Sequence, residues 1–420
     1  MNSNKVGIGK MISIKEILDI IRPFLNVMSS EPVNLQDGLG RVLGADVRSR
    51  SLIPPYNISN VDGYAINSDC MDNIPATFIK AGISRPSKIF QGVVEDRQCI
   101  KIFSGCPIPK GTNAIVSLQD VEVYESSVIV GKHIMEGENI SMAGIDIAEG
   151  DIILKKGTIL SSRHVALSNI TDVPWLPVIR SPKIGIITNL DIDYANMEFT
   201  HIQKKNGFAI KSFLMSFIDA RGGRSTNLGM ALNMQAPVAQ IPAFKKELRE
   251  ALGSVDMLVV VGGMHLAGEN LLWSSLMQDG ANLETFKVAI GSGEEIVIGN
   301  KNNIPIIGLP DHNVASLICA LLFLRPCIDI LLGIKYSYED KVFATLDRDL
   351  DEFDISRDYL YAKLYENKQG DKIVSPISAQ DTLMISVLTG TNCIIVIDKN
   401  CSKAGSAVET IMFTGSIIST

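Results

Sequence analysis

The sequence predicts a multidomain protein in which a central doubly wound, mostly parallel α/β domain is joined to small β domains. Its 420 residues, 46% of them hydrophobic and 20% charged, are enough for several cores. The middle of the chain alternates apolar runs with helical segments, which is typical of a parallel sheet. Both flanking regions instead carry short apolar runs separated by Gly, Pro and Asp, which indicates small β domains.

The chain is predicted to open with an amphipathic helix. Residues 13–16 have the spacing of a capping box, and apolar residues then follow with helical periodicity up to Leu25. Short strands are predicted at 76–79, 98–103 and 127–130, and a strand and turn at 152–157. A helix at 161–170 carries His164, to which we assign no chemistry.

From Lys183 onward the pattern changes to strand, helix, strand. Apolar runs at 184–187 and 257–261 flank a helix predicted at 207–220. Because ligands bind at the carboxyl ends of parallel strands, residues 188–191, 262–270 and 310–313 are expected to converge on one crevice. Later strands are predicted at 341–346, 359–365 and 393–397.

These patterns divide the chain into four predicted parts. They are a helical and linker domain (11–45 with 140–178), a small β domain with Asp62 (46–139), an α/β domain (179–333) and a C-terminal β domain (334–420).

Charge and cysteine usage narrow the class of protein. The net charge is −7 and basic residues occur only in short pairs, which argues against nucleic-acid binding. Seven scattered cysteines without a C-x-x-C spacing indicate neither a disulfide framework nor a zinc site. The longest apolar run, 314–324, is too short to cross a bilayer, and residues 1–10 do not resemble a leader. We therefore expect a cytoplasmic protein with no membrane partner.

The most informative residue is Asp62, in the segment Pro54-Pro55-Tyr56-Asn57-Ile58-Ser59-Asn60-Val61-Asp62-Gly63-Tyr64-Ala65. An Asp-Gly pair after two prolines predicts a tight turn that presents a carboxylate, with Gly63 accepting a positive φ.

This segment resembles the Pro-Pro-Phe-Asp-Asn-Ser-Ala-Met-Asp-Gly-Tyr-Ala signature of the molybdopterin molybdenumtransferase (molybdenum insertase) family. Residues 103–111 are similar to its Thr-Gly-Ala-Pro-x-Pro-x-Gly loop, and 137–147 to its Gly-x-Asn-Ile-Arg and Gly-Glu-Asp-Ile segments. Further similar segments cover roughly residues 14–415. They are 182–191, 256–270, 308–310 and the tail residues Gln380, Met384, Ser386, Leu388 and Asn392.

The resemblance implies a specific reaction. Adenylylated molybdopterin would bind in the crevice of a molybdopterin-binding α/β domain, magnesium would assist hydrolysis, and molybdate would enter the dithiolene with release of AMP. It also implies an elongated homodimer in which Asp62 of one subunit approaches the crevice of the other, with other cofactor-biosynthesis proteins as further partners.

The family's functional positions carry over residue by residue. The resemblance assigns Asp62 and Ser104 to catalysis, Asp191 and Glu269 to magnesium, and Ser59, Gly63, Thr188, Gly262, Gly263, Lys287 and Pro310 to substrate binding.

Several positions depart from the family pattern. The altered residues are Gln119, Ser141, Ile145, Asn189, Leu190, His265, Gly268, Asn270, Asp311, His312 and Asn313. In 287–295, Gly291 and Glu294 stand where the family has two lysines. At an effective dielectric of ~20 and ~4 Å, such a reversal of charge would weaken oxyanion binding by several kcal/mol.

Three hypotheses follow. The first is a working molybdenum insertase, and the second is a catalytically degenerate relative that acts as a binding or scaffold protein. The third is another nucleotide-binding enzyme on the same α/β domain, using His265 and His312, since fold alone does not fix function.

Overall fold

The computed structural model describes residues 10–11, 14–188, 201–228, 241–262, 271–288, 294–310, 313–334, 341–355, 359–377, 387–398, 400–413 and 418–419. The helices are α1 (Ile14–Ile21), α2 (Ser162–Ile170), α3 (His201–Ala220), α4 (Ile241–Gly253), α5 (Leu271–Gln278), α6 (Asn313–Cys319), α7 (Arg325–Leu331), α8 (Glu352–Ile355) and α9 (Val387–Gly390).

The strands up to the middle of the chain are β1 (Lys10–Met11), β2 (Ser30–Asn34), β3 (Val47–Arg48), β4 (Ile58–Ser59), β5 (Gly63–Ile66), β6 (Ala76–Ser84), β7 (Gln98–Ile102), β8 (Ala114–Ser117), β9 (Val121–Val123), β10 (Ser127–Val130), β11 (Ile140–Ser141), β12 (Ile152–Leu154) and β13 (Trp175–Ile179). They are followed by β14 (Lys183–Thr188), β15 (Arg224–Asn227), β16 (Met257–Val261), β17 (Asn282–Val288), β18 (Glu294–Lys301), β19 (Ile304–Leu309), β20 (Lys341–Leu346), β21 (Tyr359–Glu366), β22 (Lys372–Pro376), β23 (Cys393–Val396), β24 (Ala407–Met412) and β25 (Ile418–Ser419).

The chain forms two compact units. One is Ser30–Val178, which is inserted into the other, formed by Met1–Ser29 and Ile179–Thr420. Helix α1 therefore groups with the α/β unit, where it packs on β18. The finer division of the chain into four domains stays a prediction.

The inserted unit is built around a mixed six-stranded sheet in the order β8-β5-β7-β6-β10-β9. Its core contains Tyr64, Phe78, Cys99 and Val116. Helix α2 starts with a capping box in which the Ser161 backbone N–H donates to Nδ1 of His164 over 3.0 Å. His164 thus caps the start of this helix.

The α/β unit is built on a sheet in the order β1-β17-β18-β19-β16-β14-β15. Strands β14, β15, β16 and β19 are parallel, whereas β18 runs antiparallel to both neighbours. Leu258 and Val260 pack in one core with α4 and α5. Met257 and Val259, which alternation places on the other face, are equally buried. Both faces of the sheet are covered, so the predicted α/β fold is confirmed.

Helices α6 and α7 are joined into one continuous, largely buried helix by a π-helical turn at Ala320–Leu324. Pro326 follows this turn. Proline lacks an N–H, and its ring crowds the carbonyl four residues earlier, which accounts for the widened turn.

The last part of the chain forms a small barrel. Strands β20 to β24 make a sheet in the order β22-β20-β24-β23-β21, and β21 also pairs with β22 to close it. A guanidinium N–H of Arg221, just after α3, donates to the carbonyl of Phe413 over 2.8 Å. This contact ties the barrel to the α/β sheet within one unit.

Candidate functional site

The inserted unit brings the two predicted catalytic residues into contact. Asp62 lies immediately before β5, and Ser104 follows β7. The backbone N–H of Ser104 donates to Oδ1 of Asp62 over 2.9 Å, and the N–H of Leu118 donates to the Asp62 carbonyl over 3.2 Å. Both Asp62 and Ser104 are exposed. An acid is therefore held by the backbone at a surface that solvent or a ligand can reach.

Ser59 stabilises the segment around Asp62 through hydrogen bonds. Its side chain is buried, and its hydroxyl donates to the carbonyl of Val61 over 2.7 Å. The N–H of Gly105 donates to the Ser59 carbonyl over 2.8 Å, and the Ser104 hydroxyl donates to the Asn60 carbonyl over 3.1 Å. Ser59 thus shapes the segment around Asp62, and a direct substrate contact stays a prediction.

Gly63 is required by close packing. It is the first residue of β5 and does not have a positive φ, so the conformational reason expected for a turn glycine was wrong. A Cβ at this position would lie 2.0 Å from the carbonyl oxygen of Val116. Only glycine therefore allows β5 to approach β8 this closely.

Three altered family positions lie in the same unit. The hydroxyl of Ser141, on β11, donates to Oδ1 of Asn60 over 2.6 Å, which adds to the support of the loop. Gln119 is exposed, and Ile145 is 68% exposed although it is apolar. Of the three, Ser141 alone is tied to the Asp62 segment by a hydrogen bond described here.

The α/β unit brings together the ends of its parallel strands. Thr188 is in register with Val261, and Val261 with Leu309, so these residues form one row at the carboxyl edge. Gly262 and Pro310 are the next residues along, and the N–H of Gly262 donates to the Leu309 carbonyl over 2.8 Å. The described parts of the three predicted crevice segments therefore do converge.

Two helices hold these strand ends, through residues that the sequence did not single out. The indole N–H of Trp273 on α5 donates to the Gly262 carbonyl over 3.2 Å. The hydroxyl of Ser316 on α6 donates to the Pro310 carbonyl. Both side chains are buried, at 1% and 0% exposure. Apolar periodicity alone could indicate that they are buried, but not what they bond to.

Lys287 lies at the same edge of the sheet, near the end of β17. It is half-buried, and in register it faces Glu295 across the antiparallel pair, while Val288 faces Glu294. The remaining cation of this loop is thus flanked by two acidic positions. An oxyanion at this edge would meet carboxylates as well as the lysine.

Both predicted magnesium ligands, Asp191 and Glu269, lie outside the described residues, as do Gly263, His265 and His312. In the described part of the chain, no group of three His, Cys, Asp or Glu side chains is arranged to hold a metal ion. Magnesium is usually held by one or two carboxylates together with water and substrate phosphates, so its binding by Asp191 and Glu269 stays a prediction. Among these same residues, no helix is long and apolar enough to cross a membrane.

The chain is similar over most of its length to curated proteins named molybdopterin molybdenumtransferase. It is 24% identical to that of Haemophilus influenzae, covering 91% of this chain and 93% of the relative. It is also 24% identical to that of Staphylococcus epidermidis, covering 96% and 95%.

Solved structures and family models agree with these relatives. The structure of a molybdopterin biosynthesis MoeA protein from Pyrococcus horikoshii matches with a TM-score of 0.74 at 21% identity, covering 97% of this chain and all of the other, which shows the shared fold. The model of the MoeA N-terminal region (domain I and II) matches residues 12–169, and that of the MoeA C-terminal region (domain IV) matches 344–413. The two models belong to one family and together match more than half of the chain. This chain therefore belongs to the MoeA family.

Proposed function

We propose that this protein acts in molybdenum cofactor biosynthesis as a molybdopterin molybdenumtransferase. It would insert molybdate into adenylylated molybdopterin and release AMP. The observation that carries the proposal is the Asp62–Ser104 contact, because it presents one exposed carboxylate at the position where the family signature has its Asp-Gly pair. Membership of the family over most of the chain supports the same reaction class.

The geometry suggests what Asp62 would do. One carboxylate oxygen, Oδ1, is held by the Ser104 N–H, and Oδ2 accepts no hydrogen bond from the described residues. Oδ2 is thus available to take a proton from a water molecule in the step that releases AMP. The water oxygen would bond to the AMP phosphorus while the phosphoanhydride bond breaks, and the phosphate of molybdopterin would be the leaving group. A general base within hydrogen-bonding reach typically contributes about 10²- to 10⁴-fold to a rate.

The carboxyl edge of the α/β sheet would bind the pterin part of the substrate, as open α/β sheets commonly do. The backbone of Gly262 at this edge is already used in hydrogen bonds within the protein. Its N–H donates to the Leu309 carbonyl, and its carbonyl accepts from the indole N–H of Trp273. Substrate contacts of Thr188, Gly262, Gly263, Lys287 and Pro310 are part of the proposal, as are Asp191 and Glu269 as magnesium ligands. Magnesium would supply charge neutralisation for the phosphates when bound.

A second candidate is a degenerate relative that binds molybdopterin without turning it over. The observation that favours it is the acidic surrounding of Lys287, since Glu295 faces it and Glu294 precedes Glu295 in β18. Binding without reaction is therefore one outcome of the test.

The test is release of AMP from adenylylated molybdopterin by the purified protein, with and without molybdate and magnesium. We expect molybdate-dependent release in the wild type, and a loss on the order of 10²-fold or more in Asp62→Asn, which keeps a hydrogen-bond acceptor for Ser104. Asp72→Asn, another exposed carboxylate of the same unit, serves as the matched control and should retain activity.

Binding of the substrate without AMP release would favour the scaffold candidate, and an unchanged rate in Asp62→Asn would refute the role of Asp62. We also propose that the protein is a cytoplasmic homodimer. Light scattering tests the oligomeric state separately, and a monomer at micromolar concentration would contradict the dimer. Contacts with other cofactor-biosynthesis proteins belong to the same proposal.

A further inference from the structure

A guanidinium and an aromatic ring lie at the sheet edge that carries Asp62. In the inserted unit, Gly63 pairs with Ile102, and Ile102 pairs with Ser84. Asp62 precedes β5, Phe103 follows β7 and Arg85 follows β6, so these three residues lie at one edge of the sheet. The edge therefore combines a carboxylate, an aromatic ring and a guanidinium.

Phe103 holds two cations in place. The Cζ atom of Arg85 lies 6.0 Å from the centre of the Phe103 ring, and Nζ of Lys101 lies 5.8 Å from it. Both distances are within the range of cation–π attraction. Lys88 joins them because its backbone and that of Arg85 exchange hydrogen bonds of 3.1 and 2.9 Å. Two positive charges thus lie at one ring, and the turn that follows β6 brings a third basic residue, Lys88, next to Arg85 in the backbone.

None of these three side chains forms an ion pair with another described residue. By contrast, Lys132 in the same unit lies 2.8 Å from Asp120 and 3.7 Å from Glu138. Arg85 and Lys88 are exposed, and Lys101 is half-buried. In a chain of net charge −7, this is a local group of positive charges that forms no ion pair with the described residues.

We propose that Arg85, Lys88 and Lys101 form a binding site for a tetrahedral oxyanion next to Asp62. Charge-assisted hydrogen bonds from guanidinium and ammonium groups are the usual means of holding such groups. The loop positions that align with family lysines carry Gly291 and Glu294, so cations for the anion are needed elsewhere. The ligand is molybdate or a phosphate of the substrate, and in this respect the inference rests on the proposed function.

The test measures binding, so it does not depend on turnover. Arg85→Gln, Lys101→Gln and the double variant would be compared with wild type for the Kd of molybdate, by equilibrium dialysis, and of AMP, by calorimetry at low salt. Arg163→Gln is the matched control, because it removes one exposed positive charge from helix α2 of the same unit. We expect the double variant to bind about tenfold more weakly, and Arg85→Gln alone to bind a few-fold more weakly.

Weakening of molybdate binding alone would identify molybdate as the ligand, and weakening of AMP binding alone would identify the phosphate. Equal Kd values in Arg85→Gln and wild type, an equal loss in Arg163→Gln, or no binding of either anion by wild type would overturn the proposal. The proposed reaction is judged independently, since an anion site that responds to these variants in a protein that releases no AMP would leave the site standing and refute the reaction.

Discussion

At the scale of single residues, the backbone around Asp62 does more positioning than any side chain. The carboxylate is oriented by the N–H of Ser104, and the Asp62 carbonyl is held by the N–H of Leu118. Neighbouring Gly63 allows β5 to lie close to β8. A hydrogen bond from the backbone costs little further conformational entropy once the sheet has formed. Formation of the sheet therefore also orients the Asp62 carboxylate.

Gly63→Ala is expected to destabilise the protein by about 3 kcal/mol, because the added methyl group would lie 2.0 Å from the Val116 carbonyl oxygen. Urea denaturation measures this change. Gly131→Ala is the matched control in the same unit, since no atom lies within 4 Å of its new Cβ. A Gly63→Ala variant as stable as Gly131→Ala would mean that β5 and β8 separate at little cost.

At the scale of elements, the carboxyl edge of the α/β sheet is fixed by the helices that pack against it. Trp273 on α5 and Ser316 on α6 each bond to the carbonyl of the residue that follows a strand. Helix packing and the geometry of the edge are therefore coupled. The same helices that bury the core also hold the residues from which the predicted crevice segments begin.

Trp273→Phe is expected to cost about 1–2 kcal/mol, because the Gly262 carbonyl loses a buried donor. We also expect KM for adenylylated molybdopterin to rise several-fold, with a smaller change in kcat, if the strand end loosens. Trp175→Phe provides the control, since Trp175 is 57% exposed. Equal stability and equal KM in the two variants would contradict the positioning role.

A second element contact, at the opposite end of β14 and β16, predicts a pH dependence. Burial alone would raise the pKa of Asp256, but two hydrogen bonds of 2.7 Å from Arg180 and one from the Lys183 N–H lower it overall. Because the folded pKa is below the unfolded value, the contact stabilises the protein above about pH 4 and is lost as the pH falls further.

Asp256→Asn is therefore expected to be less stable than wild type at pH 7 by about 1–3 kcal/mol, and this difference should shrink below about pH 4. Denaturation by urea at pH 7, 5 and 3.5 measures it. Asp19→Asn, an exposed carboxylate on α1, should show no such trend. A difference that stays constant down to pH 3.5 would show that Asp256 stabilises the fold through something other than its charge.

At the scale of the whole molecule, the unit 30–178 is an insertion whose ends lie side by side. The N–H of Arg180 donates to the carbonyl of Ser29 over 2.9 Å, so the chain leaves and re-enters the α/β unit at one place. The inserted unit has cores of its own around Tyr64, Leu43 and Ile100. A segment whose two ends are adjacent and which has its own hydrophobic core has the properties of an autonomous domain.

Residues 30–178 expressed alone are therefore expected to fold and to unfold in one cooperative transition. Circular dichroism during urea denaturation and dispersed amide resonances in NMR spectra would establish this. Gly63→Ala in the isolated unit should cost as much as in the full chain. A collapsed state without a cooperative transition would show that the remainder of the chain is needed for folding.

Local pattern predicted much of this protein. Apolar runs predicted the strands of the parallel sheet, and the strands expected at 76–79 and 98–103 were found there. Helix α3 begins at His201, before the start at residue 207 that the pattern predicted. These features depend on the periodicity of neighbouring residues, which a sequence displays directly. The Asp62 signature likewise identified the acid and its family.

Tertiary structure decided which distant residues meet. Ser104 and Asp62 are 42 residues apart, and neither the register of β5 and β7 nor the bond from Trp273 to Gly262 can be read from local periodicity. The need for glycine at Gly63 also arises from Val116, on another strand. The sequence by itself determined the family, the order of the elements and the position of Asp62 in the chain. Strand register and helix packing determined which residues Asp62 and the strand ends contact. The reason is that a hydrophobic pattern specifies which face is buried but not which atoms lie across it.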